Sequence, residues 1–191
     1  MRHLIVTAHP NYESFSISMA KELNNHLIAE GHEVRLRNLY ETGFDPALSA
    51  SDFQTIASGQ TPADIKAEQE HILWSDHIIF IFPVWWGGMP AVLKGYVDRV
   101  FAEGFAYRYT DMGGEGLLAP RYGSTICATG EPYEQGGKMH QAMNLIFEST
   151  IFGYSGMKPC KRLFYGEVPT VSQETRQLYI ENAKKEFTNL L

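Results

Sequence analysis

The run Ile78-Ile79-Phe80-Ile81-Phe82 contains no polar residue. A strand with one wet face alternates polar and apolar side chains, so this run predicts a strand buried on both faces. Leu4-Ile5-Val6-Thr7-Ala8 reads the same way, with one hydroxyl in it. Strands covered on both sides belong to parallel sheets, where the crossover connections lay helices over the two faces.

The intervening segments predict those helices. Residues 14–30 carry Met19, Ala20, Leu23, Leu27 and Ile28 on one stripe and end at Gly31, the residue that most easily closes a helix. Residues 32–39 alternate, with Val34, Leu36 and Leu39 against charged neighbours, which suits a strand near a sheet edge. Residues 41–62 are irregular and broken by Asp45-Pro46 and Ser58-Gly59, with room for a short helix over 51–57. Helices are predicted over 63–76, 90–101, 138–152 and 172–191, and strands over 124–128 and 160–166. Residues 103–121 are polar and glycine-rich. Strands alternating with helices give an α/β class. Five strand-helix units within 191 residues fit a flavodoxin-like, doubly wound parallel sheet of order 2-1-3-4-5, read as a single domain over residues 1–191.

Charge and cysteine content exclude several functions. Lys plus Arg number 16 against 22 for Asp plus Glu, a net charge of −6, which is wrong for a nucleic-acid or anionic-membrane binder. Cys127 and Cys160 make no zinc-ligand spacing, so no metal is expected, and two unpaired thiols suit a reducing cytoplasm. No stretch approaches the ~20 apolar residues of a membrane span, and the apolar start before His9-Pro10 is too short for a signal peptide.

In open parallel sheets, ligands bind beyond the carboxyl ends of the strands, where strand order reverses. Three loops sit there. His9-Pro10-Asn11-Tyr12-Glu13-Ser14-Phe15-Ser16 lacks the glycines of a dinucleotide or Walker turn. It does offer an imidazole and hydroxyls at a helix N-terminus, where free N–H groups favour a phosphate. Ser14 is equally what a simple helix cap requires. Pro83 to Gly88 sets Trp85 and Trp86 beside two glycines that let a flat ligand approach the backbone. At most one indole of the pair can face the core from an extended segment. Thr129 to Gly137 could offer backbone donors and the Tyr133 phenol, with His140 one turn into the next helix. Tyr133 and His140 together can steady negative charge or pass a proton, although a surface turn with an incidental histidine reads the same.

With these loops in view, the chain resembles the NAD(P)H quinone reductases, the DT-diaphorase-like flavoproteins. The likeness lies in Leu4 to Pro10 with Ser14-Phe15, in Asp64 to Gln69, in Phe82 to Trp86, and in Pro90 to Phe101. It continues through Gly104 to Tyr107 and Thr129-Gly130 with Tyr133 and His140. The resemblance implies a flavin, FAD or FMN, with NAD(P)H as co-substrate. Residues matching His9, Ser14, Phe15 and Ser16 hold the flavin phosphate. Pro83, Val84, Trp85, Trp86 and Gly87, with Thr129 and Gly130, line the isoalloxazine; Gln69 meets the adenosine half of FAD. Tyr133 and His140 lie over the ring. Gly87 stands where an aromatic often follows the tryptophan, which should widen the acceptor pocket. The implied reaction is a two-step hydride transfer from NAD(P)H through the flavin to a quinone or another flat acceptor. A homodimer with the site at its interface is also implied, with Trp85, Tyr96, Phe105 and Tyr107 as candidate contact residues. Two alternatives stand beside it: a flavodoxin-type electron carrier, and a regulatory subunit of a potassium-efflux transporter.

Overall fold

The two apolar runs form the centre of a parallel sheet. In the computed structural model, which describes residues 1–188, the first run lies in β1 (Arg2–Thr7) and the second in β3 (His77–Pro83). The other elements, in chain order, begin with α1 (Phe15–Ala29), β2 (Glu33–Asn38), α2 (Ala50–Ala57) and α3 (Ala63–Trp74). After β3 come α4 (Ala91–Val100), β4 (Tyr107–Thr110), β5 (Gly113–Gly116) and β6 (Tyr122–Ala128). Next are α5 (Lys138–Asn144), a π-helical stretch Leu145–Gly153, β7 (Lys158–Tyr165) and α6 (Gln173–Thr188). The main sheet runs β2-β1-β3-β6-β7, parallel throughout. Counting its own strands alone, that is the expected order 2-1-3-4-5. The alternating strand β2 is indeed at an edge.

Successive residues of the central strands feed opposite layers, as a period of two requires. Leu4, Val6, Phe80 and Phe82 pack with Ile72 of α3, Leu93, Tyr96 and Val100 of α4, and Phe147 and Phe152. Ile5, Ile79 and Ile81 pack on the other side with Met19, Leu23 and Leu27 of α1 and with Ile180, Ala183 and Phe187 of α6. Each large aliphatic or phenyl side chain among them, removed fully from water, contributes roughly 1.5–3 kcal/mol. The Thr7 hydroxyl within this core donates to the Ile81 carbonyl at 2.8 Å, so its burial leaves no unmet polar group.

Three sequence expectations change. Residues 103–121 contain the antiparallel hairpin β4–β5. The helix expected over 138–152 is α-helical only to Asn144 and then widens into π turns. Tyr96 is fully buried against Phe44 and Phe80, so it cannot lie at a subunit contact. Residues 189–191, including the Leu190 end of the predicted closing helix, lie outside the described residues.

Candidate functional site

Strand order reverses between β1 and β3. Beyond their carboxyl ends lies a cleft of about 740 Å3. It is lined from three sides by His9 to Ser16, by Pro83 to Trp86 and by Ala128 to Gly130, and is closed by Val168, Pro169 and Arg176. The loops expected to converge do so.

The first loop is built by its own hydrogen bonds. His9 Nδ1 accepts from the Asn11 amide at 3.0 Å, and Asn11 Oδ1 accepts from the Glu13 amide at 2.9 Å. Burial also lowers the pKa of His9. A ring that is neutral and accepts through Nδ1 carries its proton on Nε2, which is left as a donor. Ser14 does cap α1, accepting from the Ile17 amide. The cap leaves the Phe15 and Ser16 amides without partners inside the helix. Anion binding and capping are thus compatible at this helix end.

The second loop departs from expectation in an informative way. Trp85 and Gly88 exchange both backbone hydrogen bonds, at 2.9 and 3.0 Å. Trp86 (φ 52) and Gly87 (φ 76) between them have positive φ, the signature of a type I′ turn. A tryptophan in that region is strained, whereas Gly87 is at ease. Neither indole is buried: Trp85 is 40% exposed and Trp86 entirely so. Plain core packing is therefore not the role of either. Trp85 instead meets the His9 ring edge-on, with centroids 5.5 Å apart. Pro83 ends β3 rather than starting the loop, and pairs with Ala128.

The third loop is braced by the chain after β7. The Thr129 amide donates to the Tyr165 carbonyl, Val168 donates to Thr129, and Glu167 donates to Glu131. Tyr133 stacks on Phe164 with centroids 4.7 Å apart, and His140 lies edge-on to both rings. Burial raises the Tyr133 pKa, so the phenol keeps its proton. His140 Nδ1 accepts from the Gly136 amide at 2.6 Å, which places the proton of the neutral ring on Nε2. Tyr133 lines a second, smaller cavity of about 340 Å3, which shares Val84, Trp86, Thr129 and Gly130 with the first.

Gln69 stands apart. It lies buried on α3, its amide donating to the Val100 carbonyl at 3.0 Å, and it does not line the cleft. Two contributors were missed from sequence. Arg176 reaches the cleft from α6; one Nη donates to the Val171 carbonyl, but its buried Nε has no partner. Gly166 lies so close that a Cβ there would sit 2.6 Å from the Tyr133 amide nitrogen. Neither stands out in a single sequence, because both act through contacts distant along the chain. Among the described residues, no cluster of His, Cys, Asp or Glu could hold a metal, and no helix is long and apolar enough to cross a membrane.

The chain is similar to known proteins over nearly its whole length. It is 34% identical over 187 residues to an uncharacterized NAD(P)H oxidoreductase of Haemophilus influenzae, covering 96% of this chain and 92% of that protein. It is 30% identical over 207 residues to the rat (Rattus norvegicus) NAD(P)H dehydrogenase [quinone] 1, covering 96% and 75%. The solved NAD(P)H:quinone oxidoreductase from Methanothermobacter marburgensis superposes with a TM-score of 0.91 at 27% identity, covering all of this chain and 99% of that one. A family model described as a flavodoxin-like fold matches residues 1–191. With the sheet order and the three converging loops, this places the chain in the flavodoxin-like family that includes the NAD(P)H quinone reductases.

Proposed function

We propose that this protein is a flavin-dependent NAD(P)H:quinone oxidoreductase, with FMN or FAD seated in the larger cleft. The observation that carries the reading is the pairing, in one cleft, of an anion-binding end with a wall of loop residues, Pro83 to Trp86 and Ala128 to Gly130. Free amides of Phe15 and Ser16, the His9 Nε2–H and the unpartnered Arg176 Nε make the anion end. These groups suit a phosphate. The backbone from Pro83 to Gly87 and that of Thr129-Gly130 would line the ring. The flavin, when bound, supplies a two-electron carrier between NAD(P)H and the acceptor. Tyr133 brings a phenol O–H to the second cavity, and His140, which lines neither cavity, packs edge-on against the Tyr133 ring. There the Tyr133 O–H would hydrogen-bond an oxygen on which negative charge develops, with His140 holding the phenol ring in place. Gln69 takes no part in holding the flavin within one chain.

We also propose that the protein is a cytoplasmic homodimer with the cleft at its interface. Exposed Trp85 and Trp86 and half-buried Phe105 and Tyr107 support that reading, since aromatic residues are enriched where subunits meet.

The test is direct. Purified protein is expected to bind FMN or FAD, lose flavin absorbance on anaerobic NAD(P)H addition, and recover it with a quinone. Absence of flavin binding after reconstitution sinks the proposal. A bound flavin that ignores NAD(P)H points to an electron carrier instead. His140→Gln is expected to slow flavin reduction about 10- to 100-fold by letting the Tyr133 ring shift; an unchanged rate removes His140 from the mechanism. Gly166→Ala must push the Tyr133 segment aside. Stopped-flow reduction is expected to slow about 10- to 100-fold with flavin content retained, and a wild-type rate would show that the position of Tyr133 does not matter.

A further inference from the structure

The smaller cavity has one wall made of a movable side chain. Gly87 and Trp86 form one side and Tyr133 another. Met139, in the first turn of α5, closes it from above Gly87. A Cβ built on Gly87 would meet the Met139 methyl at 3.6 Å, so the methionine lies within van der Waals reach of the Gly87 position. Gly87 is held at φ 76 by the tight turn, a conformation that disfavours any other residue. Met139 itself is 42% exposed. It is unbranched, with three rotatable bonds, and can therefore move where an aromatic or β-branched side chain could not.

We propose that Met139 sets the size of acceptor this site takes. On the quinone-reductase reading, on which this inference rests, the smaller cavity is the acceptor seat and Met139 is its adjustable end wall. With the methionine inward the seat ends at its thioether. With it swung toward solvent, over the open side that its exposure indicates, the seat extends to flat acceptors of two or three fused rings. The ligand class is thus planar polycyclic quinones and similarly flat aromatics, admitted by one thioether side chain rather than by a loop movement.

The experiment compares Met139→Ala, Met139→Phe and the wild type. The readouts are the ratio of kcat/KM for 9,10-phenanthrenequinone to that for 1,4-benzoquinone, and the Kd of the redox-inert molecules acridine and quinoline. The Kd values come from quenching of tryptophan emission in the flavin-loaded protein. Met139→Phe is expected to lower the three-ring to one-ring ratio about tenfold and to weaken acridine more than quinoline. Met139→Ala is expected to leave the ratio unchanged or raise it, and to tighten acridine. One methylene added to or removed from an apolar pocket is worth about 10- to 200-fold. Ratios and Kd values within about twofold of wild type in both variants overturn the role of Met139 while leaving the reductase reading intact. Turnover of neither quinone by the flavin-loaded wild type overturns both.

Discussion

Acidification from about pH 7.5 to about pH 5 is expected to remove about 4 kcal/mol of folding stability. The cause lies at the end of the sheet opposite the cleft. His3 of β1 and His77 of β3 are fully buried, and their Nδ1 atoms face each other at 3.2 Å. That contact needs one protonated and one bare nitrogen, so a second proton would set two donors against each other. His77 Nε2 is held by the Ser124 hydroxyl oxygen at 2.8 Å, which also accepts from the Lys161 amide. His3 Nε2 is buried without a partner, and His32 lies edge-on to the His3 ring. Burial first, then the charges of His32 and the N-terminus, lowers the pKa of His3 to about 4, with Asp76 opposing. Burial, then His3, lowers that of His77 to about 3. In the unfolded chain both titrate near 6.5. The folded values lie below the unfolded one, so the stabilisation is complete above about pH 7. It falls away as pH drops from the unfolded value toward the folded ones. At pH 5 each ring accounts for about 2 kcal/mol. Urea unfolding of the flavin-free protein at the two pH values measures the difference. A loss under about 1 kcal/mol contradicts the buried neutral pair, and the His3→Gln/His77→Asn double variant is expected to flatten the dependence.

That histidine pair also shows where sequence reading stops. Both residues immediately precede or flank an apolar run, and polar residues at such places read as strand boundaries. Only the sheet register, which pairs His3 with His77, brings two strand starts side by side and buries them. Features with a local cause were legible: the apolar runs of β1 and β3, the alternation of edge strand β2, the Ser14 cap and Gly31 close of α1. So was the convergence of three loops, because it follows from strand order. Features with a non-local cause were not. The hairpin β4–β5 is hidden by its own glycines, which carry no alternation. Their reason is a neighbour: a Cβ on Gly114 would lie 2.7 Å from the Tyr154 ring, and one on Gly116 would lie 2.1 Å from the Gly156 nitrogen. Tyr96 sits in a run whose apolar pairs recur along α4, and only packing against Phe44 and Phe80 shows that it faces inward. Arg176 comes from the last helix, over 150 positions from His9, with nothing in its surroundings to mark it.

Arg99→Met is expected to cost about 3–5 kcal/mol, the usual effect of stripping a buried charge of its partner. Arg99, near the end of α4, is 5% exposed. Its guanidinium grips Asp52 of α2 through two bonds, Nε at 2.9 Å and Nη2 at 3.1 Å. Its other Nη donates to Asp64 of α3 at 2.6 Å and to the Asp45 carbonyl at 2.8 Å, and the Phe44 ring lies 5.5 Å away. One side chain thus ties the irregular residues 41–62 to the helix that packs on β3. The carboxylate of Asp52 is also part of the cap of its own helix, bonded to the Ser49 amide. Its hydrogen bonds to Arg99 hold the Asp52 pKa below the ordinary value, with burial opposing. Without the guanidinium, the largest influence holding that pKa down is gone and burial is opposed only by the Ser49 hydrogen bonds, so the folded pKa of Asp52 moves up. The higher that folded pKa moves, the less the folded state loses on protonation as pH falls. The deficit of Arg99→Met relative to wild type should therefore be largest near neutral pH and shrink toward pH 4.5. Adding Asp52→Asn should recover part of it at neutral pH, since the amide can still cap α2 but leaves no buried charge. Denaturant unfolding of wild type, Arg99→Met, Asp52→Asn and the double variant, measured at both pH values, separates the cases. A deficit independent of pH, and unrelieved by Asp52→Asn, would assign the loss to the packing of the arginine stem rather than to its charge.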